Sequence, residues 1–184
     1  MFPAIFLDRD GVIIENQSNY IRSWEDVTFI PGALAALVKA STSKYKIIIV
    51  TNQSAIGRGI ISRQTADGIN RRIAEVISNA GGRVDRIFVC PHAPEENCSC
   101  RKPKPGLLLQ AAQALNLDLS RSTLIGDALS DIQAGQAAGV SNTIMVRTGR
   151  GDHQNNLPKP EGLEPYAVCD SLAEALAKAL DKCL

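Results

Sequence analysis

The chain has 184 residues, of which 45% are hydrophobic and 21% charged, as in an ordinary globular protein with one core. Its net charge of +1 supplies no field that would attract nucleic acid or anionic lipid, and its 4% aromatic content offers few rings for stacking on bases. Neither a bilayer-spanning apolar run nor a signal-peptide pattern is recognisable, so we expect a cytoplasmic protein that binds neither nucleic acid nor membranes.

Short apolar runs alternate with helix-like stretches along the sequence. The runs predict strands at 4–7, 46–51, 84–90, 122–126 and 142–146. Helical spacing predicts helices that begin after 31–32 and after Ser62, and further helices at 106–115, 130–138 and 171–184. Residues 12–30 predict a flap or hairpin over the end of the first strand, and residues 148–164 predict a surface loop. The alternation predicts one α/β domain over residues 1–184, a doubly wound, mainly parallel sheet with helices on both faces.

Chemically distinctive residues follow three of these strands. Asp8 and Asp10 follow the first strand, Thr51 ends the second, and Asp127 follows the fourth. The carboxyl ends of parallel strands meet at one edge of the sheet, where open α/β sheets place their active sites. Carboxylates that repel one another favour a bound divalent cation, and oxygen ligands favour Mg²⁺. Together with Thr51 and Lys102, which suit a phosphoryl group, they indicate phosphoryl transfer.

A group of Cys and His residues follows the third predicted strand. Its members are Cys90, His92, Cys98 and Cys100. Four such ligands suit a tetrahedral Zn²⁺; the alternatives are unrelated cysteines or a disulfide, which is rare in the cytoplasm and would leave His92 without a role. A closed four-ligand site has no position for a substrate, so we predict a structural zinc loop at about 90–101 that directs Arg101 and Lys102 towards the active site. Cys169 and Cys183 are predicted to be plain apolar residues.

The polar motifs, taken in order, resemble the haloacid dehalogenase superfamily of aspartate-based phosphatases. The matching segments are Asp8-Arg9-Asp10-Gly11-Val12, Thr51, Lys102 and Gly126-Asp127 through Asp131. The resemblance implies that Asp8 is the nucleophile and that Asp10 is the general acid and base. It implies Mg²⁺ between the Asp8 carboxylate, the Asp10 carbonyl and the Asp127 carboxylate, with Thr51 and Lys102 holding the phosphoryl oxygens. Asp131 would support the metal site or Lys102, or would be an ordinary acid at a helix N-terminus.

The zinc loop and its neighbouring motifs indicate a smaller family within this superfamily. Thr51-Asn52-Gln53-Ser54, the CxH…CxC loop and Arg101-Lys102-Pro103 resemble the bacterial D-glycero-D-manno-heptose 1,7-bisphosphate 7-phosphatases, to which zinc-loop histidinol phosphatases are related. The short spacings between motifs leave no room for a large cap domain, so short loops would hold the substrate, and we expect a monomer. Heptose phosphatases of this type often carry Lys where this sequence has Ala128. The implied substrate is a small phosphorylated sugar contacted by Asn16, Asn19, Asn52, Gln53, Ser54, Arg101 and Lys102.

Three functions remain open from the sequence. The first is removal of the 7-phosphate of heptose 1,7-bisphosphate in surface-glycan or lipopolysaccharide synthesis, through an aspartyl phosphate. The second is hydrolysis of histidinol phosphate in histidine biosynthesis; its cationic amine would favour an acidic flap, yet Glu15 is the only acid between Asp10 and Glu25. The third is a non-catalytic, zinc-stabilised binding protein, which would have no need of the complete set of motif residues. We therefore prefer the first.

Overall fold

The computed structural model describes residues 1–181. Its strands are β1 (Ala4–Leu7), β2 (Lys46–Asn52), β3 (Arg86–Cys90), β4 (Thr123–Gly126), β5 (Asn142–Val146) and β6 (Ala167–Cys169). Its α-helices are α1 (Ala33–Ala40), α2 (Ser54–Gly57), α3 (Arg63–Asn79), α4 (Gly106–Leu115), α5 (Leu129–Ala137), α6 (Gly151–Asn155) and α7 (Leu172–Asp181). All neighbouring strands pair in parallel, in the order β3-β2-β1-β4-β5-β6. The predicted doubly wound α/β fold is confirmed.

The central strand β1 is buried on both faces, and its side chains alternate between two hydrophobic layers. Ile5 and Leu7 pack in one layer with side chains from α1, α3 and α7. Ala4 and Phe6 pack in the other layer with side chains from α4 and α5. Helices therefore cover both faces, and the polar residues that follow β1 emerge from the middle of the core. Among the residues described, no helix has both the length and the apolar character that a membrane span requires.

The segment between β1 and α1 forms the predicted hairpin. The Glu15 N–H donates to the Thr28 carbonyl at 2.8 Å, and the Ile30 N–H donates to the Ile13 carbonyl at 3.0 Å. The N-terminal arm of this hairpin carries Asn16 towards the end of β4, where its amide contacts Asp127. The hairpin thus closes one side of the region where the polar strand ends meet.

The sequence-based prediction is wrong in the C-terminal part of the chain. The segment predicted as a loop at 148–164 contains α6, and the edge strand β6, which the sequence does not predict, pairs with β5. Both elements are too short to show a clear hydrophobic period, as is α2. The predicted helix at 171–184 is confirmed over Leu172–Asp181, and residues 182–184, including Cys183, lie outside the described residues.

Candidate active site

The carboxyl ends of β1 and β4 bring three buried carboxylates together. Asp8 follows β1, Asp127 follows β4, and Asp131 lies in the first turn of α5. One carboxylate oxygen from each lies within 4.8 Å of the others, and all three side chains are buried. The strand ends therefore converge as the sequence predicts, and they converge below the protein surface.

Two glycines allow this close approach. Gly11 has a φ of +83°, and a Cβ at this position would lie 2.1 Å from Asp127 Oδ2. A Cβ at Gly126 would lie 2.3 Å from the Cβ of Asp131. Any side chain at either position would displace a carboxylate, and Gly11 also uses a backbone conformation that other residues rarely adopt. The first and fourth motifs thus need glycine at these positions, because any larger residue would clash with Asp127 or Asp131.

Lys102 is the buried cation of this cluster. Its Nζ donates to Asp8 Oδ1 at 2.7 Å and to the Val50 carbonyl at 2.8 Å, and it pairs with Asp131 Oδ1 at 2.6 Å. Burial alone would lower the pKa of Lys102, but the carboxylates of Asp131 and Asp8 outweigh it and raise this pKa above its usual value. Lys102 therefore remains protonated. Asp131 orients it and also caps α5, because its Oδ2 accepts from the Ala128 N–H at 3.1 Å.

Asn52 fixes the backbone of Lys102. Its Nδ2 donates to the Lys102 carbonyl at 3.0 Å, and its Oδ1 accepts from the Lys102 N–H at 3.2 Å. Both ends of the amide are therefore used to hold one residue, which joins the end of β2 to the loop before α4. The sequence predicts that Asn52 contacts the substrate, whereas in the structure its amide hydrogen-bonds to the backbone of Lys102.

The electrostatics of Asp8 and Asp127 suit a bound divalent cation. Burial raises the pKa of Asp8 to about 6; Lys102 opposes this rise, whereas Asp131 and Asp10 add to it. Burial also raises the pKa of Asp127, and the neighbouring Asp8 adds to that rise. Carboxylates whose ionisation is disfavoured by burial and by neighbouring acids are stabilised in their ionised form by a cation between them. Because Mg²⁺ prefers such oxygen donors, the residues present fit this ion.

Arg150 is a site residue that the sequence does not reveal. Its backbone N–H donates to Asp127 Oδ2 at 2.9 Å, and its guanidinium Nε lies 3.4 Å from the same oxygen. Asn16 Nδ2 donates to that oxygen at 2.6 Å. Arg150 immediately precedes α6, in a segment whose polar composition predicts only a loop. No motif in that segment distinguishes Arg150 from other surface arginines.

Asp10 is surrounded by three hydrogen-bond donors, which are Thr51 in β2, Gln53 just after β2, and the adjacent Arg9. Gln53 Nε2 donates to Asp10 Oδ2 at 3.0 Å and to Thr51 Oγ1 at 2.8 Å. The Thr51 hydroxyl lies 3.4 Å from the same Asp10 oxygen. Arg9, which is buried, donates to both carboxylate oxygens of Asp10, at 3.2 and 3.0 Å. The structure therefore places Asp10 beside Thr51 and adds Arg9, to which the sequence assigns no role.

A cavity of about 410 Å³ opens over these groups. Predicted residues that line it are Asp8, Asp10, Asn16, Asn52, Gln53, Ser54, Arg101 and Lys102. Ser130 and Arg150 also line it. The prediction for Asn19 is not supported, because its side chain is exposed outside the cavity and its carbonyl accepts from Arg22 Nε at 2.9 Å. The turn in which Asn19 lies directs this side chain to solvent.

The predicted zinc ligands converge at the carboxyl end of β3. Cys90 Sγ lies 3.7 Å from His92 Nδ1, 3.6 Å from Cys98 Sγ and 3.2 Å from Cys100 Sγ. Ligands of a tetrahedral Zn²⁺ with bonds of about 2.3 Å are about 3.7 Å apart, whereas bonded disulfide sulfurs are about 2 Å apart. The spacing fits zinc and excludes a disulfide within this group. Cys169 is buried in the core, as predicted for an apolar residue.

The zinc loop reaches the cavity through Arg101. This residue follows Cys100, and its Nη1 donates to the His92 carbonyl at 3.2 Å. Lys102 comes next in the chain and enters the carboxylate cluster. A metal that fixes Cys100 and His92 therefore also fixes the peptide from which both cations project.

The fold and the site place the protein in a known class of hydrolase. The HAD-hydrolase-like family model matches residues 99–175, which include Lys102, Asp127 and Asp131. With the Asp8-x-Asp10 pair at the end of the central strand, these features define a hydrolase of the haloacid dehalogenase class.

Comparison over the whole chain defines the family more narrowly. The Pseudomonas aeruginosa protein named D-glycero-beta-D-manno-heptose-1,7-bisphosphate 7-phosphatase is 36% identical over 176 residues, with 96% of each chain covered. A Helicobacter pylori protein of the same name is 39% identical, with 94% of each chain covered. The crystal structure of D,D-heptose 1,7-bisphosphate phosphatase from Bordetella bronchiseptica, complexed with magnesium and phosphate, is similar with a TM-score of 0.89 at 33% identity, and the match covers 98% of this chain and 99% of that one. The chain belongs to the family of these heptose-bisphosphate phosphatases.

Proposed function

We propose that the protein removes the 7-phosphate of D-glycero-beta-D-manno-heptose 1,7-bisphosphate during the synthesis of surface glycans. The observation that carries this proposal is the near full-length similarity to relatives of that name, with 96% of each chain covered for the Pseudomonas aeruginosa protein. The cavity over Asp8 and Lys102 supports it, because it places a carboxylate and a fixed cation where a phosphoryl group could lie.

In the first half of the reaction, Asp8 attacks the phosphorus of the 7-phosphate. The bond from phosphorus to the sugar oxygen breaks as the bond to Asp8 forms, and the carboxyl group of Asp10 donates a proton to the departing oxygen. Lys102 Nζ and the Thr51 hydroxyl hold the phosphoryl oxygens. A Mg²⁺ ion held by Asp8, Asp127 and the Asp10 carbonyl would supply further positive charge to the phosphoryl group.

In the second half, the aspartyl phosphate is hydrolysed. Asp10 is now a carboxylate and accepts a proton from the attacking water, so that phosphate leaves and Asp8 is restored. While Asp8 carries the phosphoryl group, the ion pair with Asp131 keeps Lys102 protonated. The proton that Asp10 donates in the first half of the reaction is therefore replaced by the proton that it accepts in the second half.

The cations that line the cavity favour a substrate with two phosphates. Arg101, the last residue of the zinc loop, lines the cavity, and so does Arg150, whose side chain is 57% exposed. Both can approach an anionic group beyond the reacting phosphate. The cationic amine of histidinol phosphate would face these same positive charges. The charge of the cavity rim thus favours the bisphosphate over histidinol phosphate.

We further propose that Cys90, His92, Cys98 and Cys100 bind a structural Zn²⁺. The donor set and spacing support this, and all four positions are filled by protein ligands, so no position remains for a substrate. The three cysteines of this group are not joined in disulfides, as zinc binding requires.

The decisive test compares kcat/KM for heptose 1,7-bisphosphate and histidinol phosphate in the presence of Mg²⁺. We expect a clear preference for the bisphosphate, with ³¹P NMR showing loss of the 7-phosphate and retention of the 1-phosphate. Preference for histidinol phosphate would overturn the proposed substrate. Asp8→Asn should abolish turnover, and full activity in this variant would exclude Asp8 as the nucleophile. A protein that hydrolyses neither ester would support a non-catalytic binding role.

A further inference from the structure

We propose that Arg9 and Asn70 are positioning residues that hold the carboxyl group of Asp10 so that its Oδ1 exchanges the proton with the substrate. The inference rests on the proposed function, because it concerns the proton transfer of that reaction. Neither residue contacts the reacting atoms in the proposed mechanism. Their effect is transmitted through the orientation of Asp10.

Arg9 is a buried arginine that directs two of its donors at Asp10. Only 2% of it is exposed. Its Nε donates to Asp10 Oδ2 at 3.2 Å and its Nη2 donates to Oδ1 at 3.0 Å, which is the two-point contact of a guanidinium with a carboxylate. Two parallel hydrogen bonds fix the plane of the carboxyl group as well as its distance. Arg9 therefore restricts rotation of the Asp10 side chain.

Asn70 holds Arg9 from the opposite side. It lies on the core face of α3, between Ile69 and Ile73, and its Oδ1 accepts from Arg9 Nη1 at 2.7 Å. Its Nδ2 is buried and has no hydrogen-bond partner among the described residues. A buried amide with one end unpaired is costly where an apolar residue would pack without penalty. The one contact that this amide makes is the one that fixes Arg9.

The donors around Asp10 distinguish its two oxygens. Oδ2 accepts from Arg9 and Gln53 and lies 3.4 Å from the Thr51 hydroxyl. Within the described part of the chain, Oδ1 accepts only from Arg9. Each carboxylate oxygen offers two lone-pair positions, so Oδ2 is saturated and Oδ1 retains one. Because Asp10 lines the cavity, the position left on Oδ1 is available for the proton that passes to the leaving oxygen.

This role predicts a loss that depends on the leaving group. A sugar alkoxide needs a proton as it departs, so a displaced Asp10 slows its release. The phenolate of p-nitrophenyl phosphate leaves without protonation and is insensitive to the position of Asp10. Because kcat/KM reports the steps up to the first irreversible transfer, it separates this proton donation from the later hydrolysis of the aspartyl phosphate. A residue that served only packing would affect both substrates equally.

The test uses three variants on α3, measured with heptose 1,7-bisphosphate and with p-nitrophenyl phosphate. Asn70→Leu removes the acceptor for Arg9 while keeping a similar volume. Asn70→Asp keeps the acceptor. Arg71→Gln alters an exposed residue of the same helix and serves as the control. Circular dichroism and titration of active sites confirm that equal amounts of folded enzyme are compared.

We expect Asn70→Leu to lower kcat/KM for the sugar bisphosphate by about tenfold or more, which is part of the contribution of general acid catalysis. The same variant should lower kcat/KM for p-nitrophenyl phosphate by less than about threefold. Asn70→Asp should restore the ratio between the two substrates, and Arg71→Gln should leave both constants unchanged. Parallel losses on both substrates, or no loss in Asn70→Leu, would overturn the positioning role while leaving the proposed function intact. A wild-type protein that does not hydrolyse the sugar bisphosphate would overturn the proposed function first and this inference with it.

Discussion

Asp8→Asn should inactivate the protein and stabilise it in magnesium-free buffer. The pKa of Asp8 rises from 3.8 to about 6 on folding because burial outweighs the attraction of Lys102. A rise of this size corresponds to roughly 3 kcal/mol of folding free energy lost when Asp8 is ionised. Asn keeps an oxygen that can accept from Lys102 Nζ but carries no charge. We therefore expect a gain of about 1–3 kcal/mol in the free energy of unfolding near neutral pH.

The size of this effect depends on pH. A carboxyl group whose pKa is raised by folding costs no stability below about pH 4, where it is protonated in both states, and costs progressively more as pH rises through about 6. The advantage of Asp8→Asn should therefore be larger at about pH 7.5 than at about pH 5. Urea unfolding of both proteins at the two pH values measures it, with the metal content of the two proteins matched.

The control for this prediction is Asp67→Asn, which removes a solvent-accessible carboxylate paired with Arg63 at 3.0 Å on α3. It should change the free energy of unfolding by less than about 0.5 kcal/mol, the usual value of an exposed helical pair. The reasoning is refuted if Asp8→Asn is less stable than the wild type near neutral pH, or if its advantage is the same at both pH values.

Three further predictions concern the surroundings of the reacting groups. Metal analysis should find about one zinc per chain, lost in Cys98→Ala and kept in Cys169→Ala; a wild-type protein without zinc contradicts the loop assignment. Arg101→Gln should raise KM for the bisphosphate by about tenfold, as expected for one lost charge-assisted hydrogen bond, and leave KM for p-nitrophenyl phosphate unchanged; an equal rise for both would place Arg101 at the reacting phosphate. Asn52→Leu should lower kcat by about tenfold by releasing the backbone of Lys102, and unchanged kcat would show that Lys102 holds its position without the amide.

The sequence was most informative where function depends on local pattern. The apolar run of β1, at the start of the alternating strands and helices, predicts that Asp8 lies at the end of a buried strand. The spacing of Cys90, His92, Cys98 and Cys100 likewise allows four ligands to approach one ion. Such features are determined by neighbours in the chain. They can therefore be predicted without knowing how distant segments pack.

Arg9, Asn70 and Arg150 could not be predicted in this way, because their partners are distant or unmarked. Arg9 and Asn70 are 61 residues apart, and Asp127 and Arg150 are 23 residues apart. A charged residue between two motif acids predicts a solvent-exposed side chain, since arginine is rarely fully buried without a partner. The burial of Arg9 depends on acceptors from Asp10 and from Asn70, which lies on α3.

The charges around the cavity indicate why the proposed reaction would need a divalent cation together with the phosphorylated substrate. The acids are Asp8, Asp10, Asp127 and Asp131, and the cations are Arg9, Arg101, Lys102 and Arg150. Four negative and four positive charges leave no net charge when all are ionised, so these groups by themselves do not attract a phosphate dianion. A divalent cation would make the net charge positive and would also relieve the repulsion between Asp8 and Asp127. Because such coupling is reciprocal, phosphate must strengthen Mg²⁺ binding as much as Mg²⁺ strengthens phosphate binding.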